Sequence, residues 1–145
     1  MTDVVPMPDQ INLVVRDLER SMAFFRLLGW QVGEPTGPHV SIPFPNGFHV
    51  DLDQHEFARQ WNSGTPEPGG GAMVLCVSTT NREEVDALYR RMVDAGHASR
   101  QVPYDTFWGS RFAVIADPDG HQIGLMSPSE QRYRYWPPTD APREH

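Results

Sequence analysis

The chain has 145 residues, enough for a compact domain with a real core, and 39% of them are hydrophobic against 21% charged. A net charge of −7 with only 12 Lys and Arg, scattered along the chain, argues against a nucleic-acid surface and leaves small molecules as the expected partners. No apolar run is long enough to cross a bilayer, MTDVVPMPDQ lacks the basic and apolar stretches of an export signal, and the lone Cys76 excludes an intramolecular disulfide, so a reducing cytoplasm is the expected compartment.

From the N-terminus, INLVV reads as a strand. The following RDLERSMAFFRLLGW spaces Leu18, Met22, Phe25 and Leu28 as one helix face, with Asp17 at its entrance and Gly29 at its exit. PNGFHVDL, from Pro45, brings a turn and a further strand. Between Ser63 and Gly71, SGTPEPGGG is too rich in Gly and Pro for a regular element and reads as a linker. MVLCV is again a strand, in which Cys76 is expected to be a buried, inert thiol. In TTNREEVDALYRRMVDAGH, Val85, Leu88, Tyr89 and Met92 share a helix face, Thr80 and Glu83 have capping-box spacing, and Gly96 is the stop. VPYDTFWGSRF then gathers Tyr104, Phe107, Trp108 and Phe112 before ADPDGHQIGLM, where Asp119-Gly120 suits a two-residue hairpin with positive dihedrals. The last stretch, QRYRYWPPTDAPREH, contains Pro137-Pro138 and little periodicity, and reads as a tail anchored by Trp136.

Strand, helix and hairpin strand thus occur twice, and PNGFHVDL matches PDGHQIGL from Pro118 in its Pro and Gly, with Asn46 against Asp119. INLVVRDLERSMAFFRLLGW and RFAVIADPDGHQIGLMSP resemble the two signature segments of the vicinal oxygen chelate superfamily, which includes glyoxalase I, extradiol dioxygenases and bleomycin-resistance proteins. The resemblance runs to about Pro128. It implies an α+β fold of two tandem βαβββ modules, a cup-shaped curved mixed sheet with helices on its convex face. The modules are residues 1–62 and 72–130, with the linker at 63–71, a tail at 131–145 and one structural domain overall. Small members of the bleomycin-resistance branch are typically dimers, so the resemblance also implies a homodimer.

Alternation along the strands assigns their faces. Ile11, Leu13 and Val15 turn to the helix and leave Gln10, Asn12 and Val14; Phe48, Val50 and Leu52 turn to the helix and leave His49, Asp51 and Asp53. In the second module Met73, Leu75 and Val77 face the helix, leaving Ala72, Val74 and Cys76, while Gln122, Gly124 and Met126 face the cup. Phe112 has core parity, and the direction of Trp108 depends on whether its strand runs unbroken through Gly109. The superfamily's metal-ligand positions fall on Gln10, Asp51, Ala72 and Gly124. Gln10 and Asp51 offer oxygen donors but Ala72 and Gly124 cannot bind, so no cofactor is expected; a divalent metal would need His49 or His121 as a substitute.

His49 beside Asp51 suits a general base tuned by its neighbour, although residues two apart on a strand face more commonly satisfy each other at a half-open surface. Nothing in the chain suggests a serine elbow, a phosphate loop or a paired-cysteine metal motif. Gln10, Asn12, Tyr104, Trp108, Gln122 and Met126 are the expected ligand-binding residues, the aromatic ones offering flat apolar faces. The leading expectation is a metal-free cup that binds a planar or hydrophobic organic molecule, as in antibiotic sequestration. The alternatives are a metal-dependent glyoxalase-like lyase, isomerase or dioxygenase acting on vicinal oxygens, metal-free acid–base catalysis by His49 with Asp51, and a fold kept for dimer contacts or regulation.

Overall fold

The computed structural model describes residues 5–136, and its internal contacts divide the chain into two units, 1–68 and 69–145. Of the expected tail, residues 137–145, with Pro137-Pro138, lie outside the described residues.

Unit 1 runs β1 (Gln10–Val15), α1 (Leu18–Leu28), β2 (His39–Pro43), β3 (His49–Gln54) and α2 (His55–Trp61). Asp17 caps α1 by accepting the Arg20 N–H at 3.2 Å, and Gly29, at φ 110°, closes it by donating to the Arg26 carbonyl. Leu18, Met22, Phe25 and Leu28 are buried as their spacing demands, joined by Phe24, and the helix packs over β3. β3 is the middle strand, parallel to β1 and antiparallel to β2.

The fold is α+β with mixed sheets, but among the described residues unit 1 has three strands where a complete βαβββ module has four. The missing strand falls in Trp30–Pro38, whose Gly33, Pro35, Gly37 and Pro38 interrupt any ladder; only the bridge between Thr36 and His39 forms. Trp30 instead stacks on Phe25 at 4.8 Å and meets the Phe44 ring edge-on. The helix α2 has no counterpart in the sequence reading.

Unit 2 completes the βαβββ order with β4 (Val74–Ser78), α3 (Arg82–Asp94), β5 (Ser99–Asp105), β6 (Arg111–Ala116) and β7 (Gln122–Met126), arranged β4-β7-β6-β5. Val85 and Met92 of α3 are buried with Ala113, Ile115, Ile123 and Leu125 of the sheet. The expected capping box shifts by one residue. Asn81, not Thr80, is the cap and accepts the Glu84 N–H at 2.9 Å, while the Glu84 carboxylate, not that of Glu83, accepts the Thr80 N–H at 2.7 Å.

The hairpin between β6 and β7 is also not the two-residue type. Only Gly120 has a positive φ, 89°, and Asp119 does not share it. Asp117 closes a longer loop by accepting the Gly120 N–H with its carbonyl and the N–H groups of Asp119 and His121 with its carboxylate, so a type I turn followed by glycine replaces the expected one.

After β7 the chain returns along the β5–β6 loop: Glu130 N–H donates to the Gly109 carbonyl and Tyr135 N–H to that of Phe107, both at 3.0 Å. Gly109 has φ 94°, and a Cβ there would stand 2.5 Å from the Glu130 carbonyl oxygen. Gly109→Ala therefore meets both backbone strain and a backbone clash, and is expected to cost about 1–3 kcal/mol in urea unfolding. A midpoint equal to wild type would contradict this placement of residues 129–135.

Candidate functional site

In unit 1 the face of the sheet away from α1 is polar. The β1–β3–β2 register sets Gln10 beside His49, Asn12 beside Asp51, Ser41 beside Asp51 and His39 beside Asp53. As the middle strand, β3 buries two carboxylates, Asp51 at 6% and Asp53 at 1% exposure. A buried carboxylate is costly unless its oxygens are met by donors, and both are. Asp51 accepts from the Ser41 hydroxyl at 2.7 Å, from His49 Nδ1 at 2.7 Å and, at 3.5 Å, from the Gln10 amide. Asp53 accepts from His39 Nδ1 at 2.6 Å and from the Asn12 amide at 2.9 Å.

The sequence-based pair His49 and Asp51 is thus in contact, and Gln10 and Asn12 stand on the same face. A second pair, His39 with Asp53, was not found from sequence. Its signal lay in the hairpin: counting outward from the Pro45–Gly47 turn brings Ser41 opposite Asp51 and His39 opposite Asp53. Phe57 and Trp61 of α2 border this second pair, and with Gln10, Asn12, His39 and Asp53 they line a cleft of about 330 Å³.

In unit 2 the corresponding face is apolar. Phe112 is opposite Met126 and Tyr104 in the ladder, and one of its ring carbons lies 3.2 Å from where a Gly124 Cβ would be, so it faces away from α3, contrary to its expected core parity. β6 starts afresh at Arg111 after the loop, so alternation does not carry through Gly109 to Phe112. Trp108 lies in that loop, half-buried, with its ring edge-on to Phe107 at 5.1 Å and Phe112 at 5.5 Å. Tyr104 meets Phe112 edge-on at 6.4 Å. Gln122 spends its amide on the carbonyls of Gly71 and Met73, and Met126 stays half-buried at the end of β7.

Cys76 is exposed, not buried: β4 is an edge strand, and Cys76 stands on the same side of it as Val74, next to Gly124 of β7. Partial desolvation still raises its thiol above the ordinary range. Native protein should therefore label completely with a disulfide reagent, at a rate that climbs as pH rises through and beyond the usual thiol range; labelling only on unfolding would contradict the exposure.

The register also corrects one position of the metal-ligand set. Gln10 pairs with His49, two residues before Asp51; the residue that pairs with Gln122, two before Gly124, is Val74. Val74, not Ala72, is the counterpart of Gln10. Neither Val74 nor Gly124 has a donor, and a Cβ on Gly124 would meet Cys76 Sγ at 2.8 Å and carbons of Phe112 and Val74 at 3.2 Å. The space for a carboxylate is filled by apolar atoms and a thiol, and this donor set does not fit a divalent ion held from both modules. Among the described residues, the only group of three His, Cys, Asp or Glu whose ligand atoms lie within 4.8 Å of one another is Asp117, Asp119 and His121, and there Asp117 is engaged by the turn and by His121 Nδ1 at 2.7 Å.

The family model described as the glyoxalase/bleomycin resistance protein/dioxygenase superfamily matches residues 8–125. The chain belongs to that superfamily. It is 32% identical over 125 residues to an uncharacterized protein of Mycobacterium bovis, covering 81% of this chain and 80% of that one. Among solved structures, a glyoxalase-related enzyme from Fulvimarina pelagi has a TM-score of 0.76 at 24% identity, covering 86% of this chain and 89% of that one. A hypothetical protein from S. aureus has a TM-score of 0.74 at 24% identity, covering 88% and 96%. At such identities the likeness to these solved structures speaks for the fold alone.

The hydrogen bond that His49 donates to Asp51 raises its imidazole above the ordinary value, desolvation opposes this, and the charges of Asp51 and Asp9 add to it. A raised folded-state value means that protonated His49 stabilises the fold: the contribution is complete below the unfolded value and disappears as pH rises through the folded one. The stability gap between wild type and His49→Gln should therefore narrow with rising pH across that window, and imidazole NMR should show the His49 midpoint falling towards free histidine in Asp51→Asn. A gap independent of pH would refute the pairing.

Proposed function

We propose that the chain binds a small organic molecule on the polar face of unit 1 without a metal, sequestering it as bleomycin-resistance-like members of the superfamily do. The observation that carries this reading is Gly124, whose side-chain space is taken by Cys76, Phe112 and Val74. With Val74 in the other position, the superfamily's paired metal positions keep donors only at Gln10 and Asp51, and Asp51 already serves Ser41 and His49. Two supported donors fall short of what a divalent ion needs. The net charge of −7 favours a neutral or cationic ligand. The reading includes a homodimer in the cytoplasm; no helix among the described residues is long and apolar enough to cross a membrane.

A second reading, metal-free acid–base catalysis, is favoured by the two histidine–carboxylate contacts at 2.6 and 2.7 Å, each of which orients an imidazole. The two separate in His49→Ala: an enzyme of this kind loses turnover and keeps binding, whereas a binder has no turnover to lose.

The test is calorimetric titration of chelator-stripped protein with Ni, Co, Mn, Zn and, without oxygen, Fe(II), beside a thermal-shift panel of planar organic molecules. The expected result is no stoichiometric metal binding and stabilisation by neutral or cationic ring compounds. Tight, near-stoichiometric metal binding that Asp51→Ala abolishes would overturn the metal-free reading and make vicinal-oxygen substrates the next panel.

A further inference from the structure

We propose that the cleft beside α2 is a subsite for an aromatic ring carrying an O–H or N–H donor, with His39 Nε2 as the acceptor and Asp53 as its positioning residue. The inference rests on the metal-free reading above and assigns the ligand class of that face. Its starting point is Asp53, which is 1% exposed and lies in the middle strand. One of its carboxylate oxygens takes the Asn12 amide, so the other is free to fix His39 through Nδ1 at 2.6 Å. A buried carboxylate accepts hydrogen bonds only, which forces the neutral imidazole into the Nδ1–H tautomer and makes Nε2 a lone-pair acceptor. Among the described residues Nε2 has no hydrogen-bond partner, and the His39 side chain remains 31% exposed in the cleft it lines.

The rest of the cleft says what carries the matching donor. Phe57 lies 6.0 Å from the His39 ring, and Trp61, half exposed, continues the same helix by one turn, so α2 supplies two aromatic surfaces. Gln10 and Asn12 turn their amide nitrogens inward, to Asn12 Oδ1 and to Asp53, and so compete little as donors to the ligand. A volume of about 330 Å³ suits one substituted ring. An acceptor on one wall and aromatic surfaces on the other therefore select a ring with a hydroxyl or N–H, held by stacking and by one directional bond.

The experiment compares 4-cresol with 4-methylanisole, two rings of similar shape of which only the first can donate, at pH 7.5 by ligand-titrated NMR of the protein. Wild type is expected to bind cresol about tenfold more tightly, the size of one well-placed hydrogen bond. His39→Phe should erase that preference, and Trp61→Ala should weaken both probes alike. In wild type, cresol but not methylanisole should also shift the His39 Nε2 nitrogen resonance, a readout that does not depend on any variant folding. If the preference survives His39→Phe and is lost in His49→Phe, the subsite assignment falls while metal-free ring binding on this face stands. Equal affinity of wild type for the two probes, or binding of neither, also overturns the subsite, and the metal titration decides the wider reading separately.

Discussion

Two carboxylates sit in the middle strand of the first sheet, and the rest of unit 1 is arranged to make that tolerable. An unpaired ionised carboxylate in such a place would cost several kcal/mol after relaxation. Each of β1 and β2 therefore delivers a donor to each of them: Gln10 and Asn12 from one side, Ser41 and His39 from the other, with His49 adding a contact along the strand itself. The ladder register that creates these pairings is also what turns Val50 and Leu52 to the opposite side, under α1. A slip of one residue would expose the core and strand both acids at once, so the hydrophobic and polar halves of the strand enforce one another.

Unit 2 repeats the frame with other contents. Its middle pair of strands carries Gly124 where unit 1 carries Asp51, and the neighbours have closed over the position from three sides: Cys76 and Val74 from β4 and Phe112 from β6. Once a carboxylate is absent, nothing on that face requires donors, and the strands are free to hold Tyr104, Phe112 and Met126 there instead. Divergence at one strand position thus propagates to its whole neighbourhood, because an acid needs partners and a glycine admits apolar contacts.

Much of this was legible in the sequence. The limits of α1, its buried face, the doubled order and the polar side of β3 follow from periodicity, a capping aspartate and a terminal glycine, all local signals. What was missed depends on pairing over distance. Sequence alternation points to Ala72 where register gives Val74, since the first hydrogen-bonded residue of β4 is fixed by β7 and not by its own side chain. Alternation misplaces Phe112 because a loop stands between it and the preceding strand. The helix α2 escaped notice because its seven residues are too few to show a period and its cap, Gln54, has no capping hydrogen bond; Gln54 instead receives the Leu18 N–H of α1.

That short helix changes what the polar face can do. A flat array of amides, acids and imidazoles in water would be a satisfied surface, each group answering its neighbour and none reserved for a ligand. The ring of Phe57 beside His39, with Trp61 one turn on, supplies apolar wall against which a bound molecule can exclude water, and directional hydrogen bonds gain most where water is excluded. The two histidine–carboxylate contacts are alike in distance, but only His39 has this wall, whereas His49 lies near Asp9. Similar contacts to two acids of one strand are therefore divided by what packs beside them: His49 balances Asp51 beside Asp9, and His39 balances Asp53 while its other nitrogen stands in the cleft that Phe57 and Trp61 line.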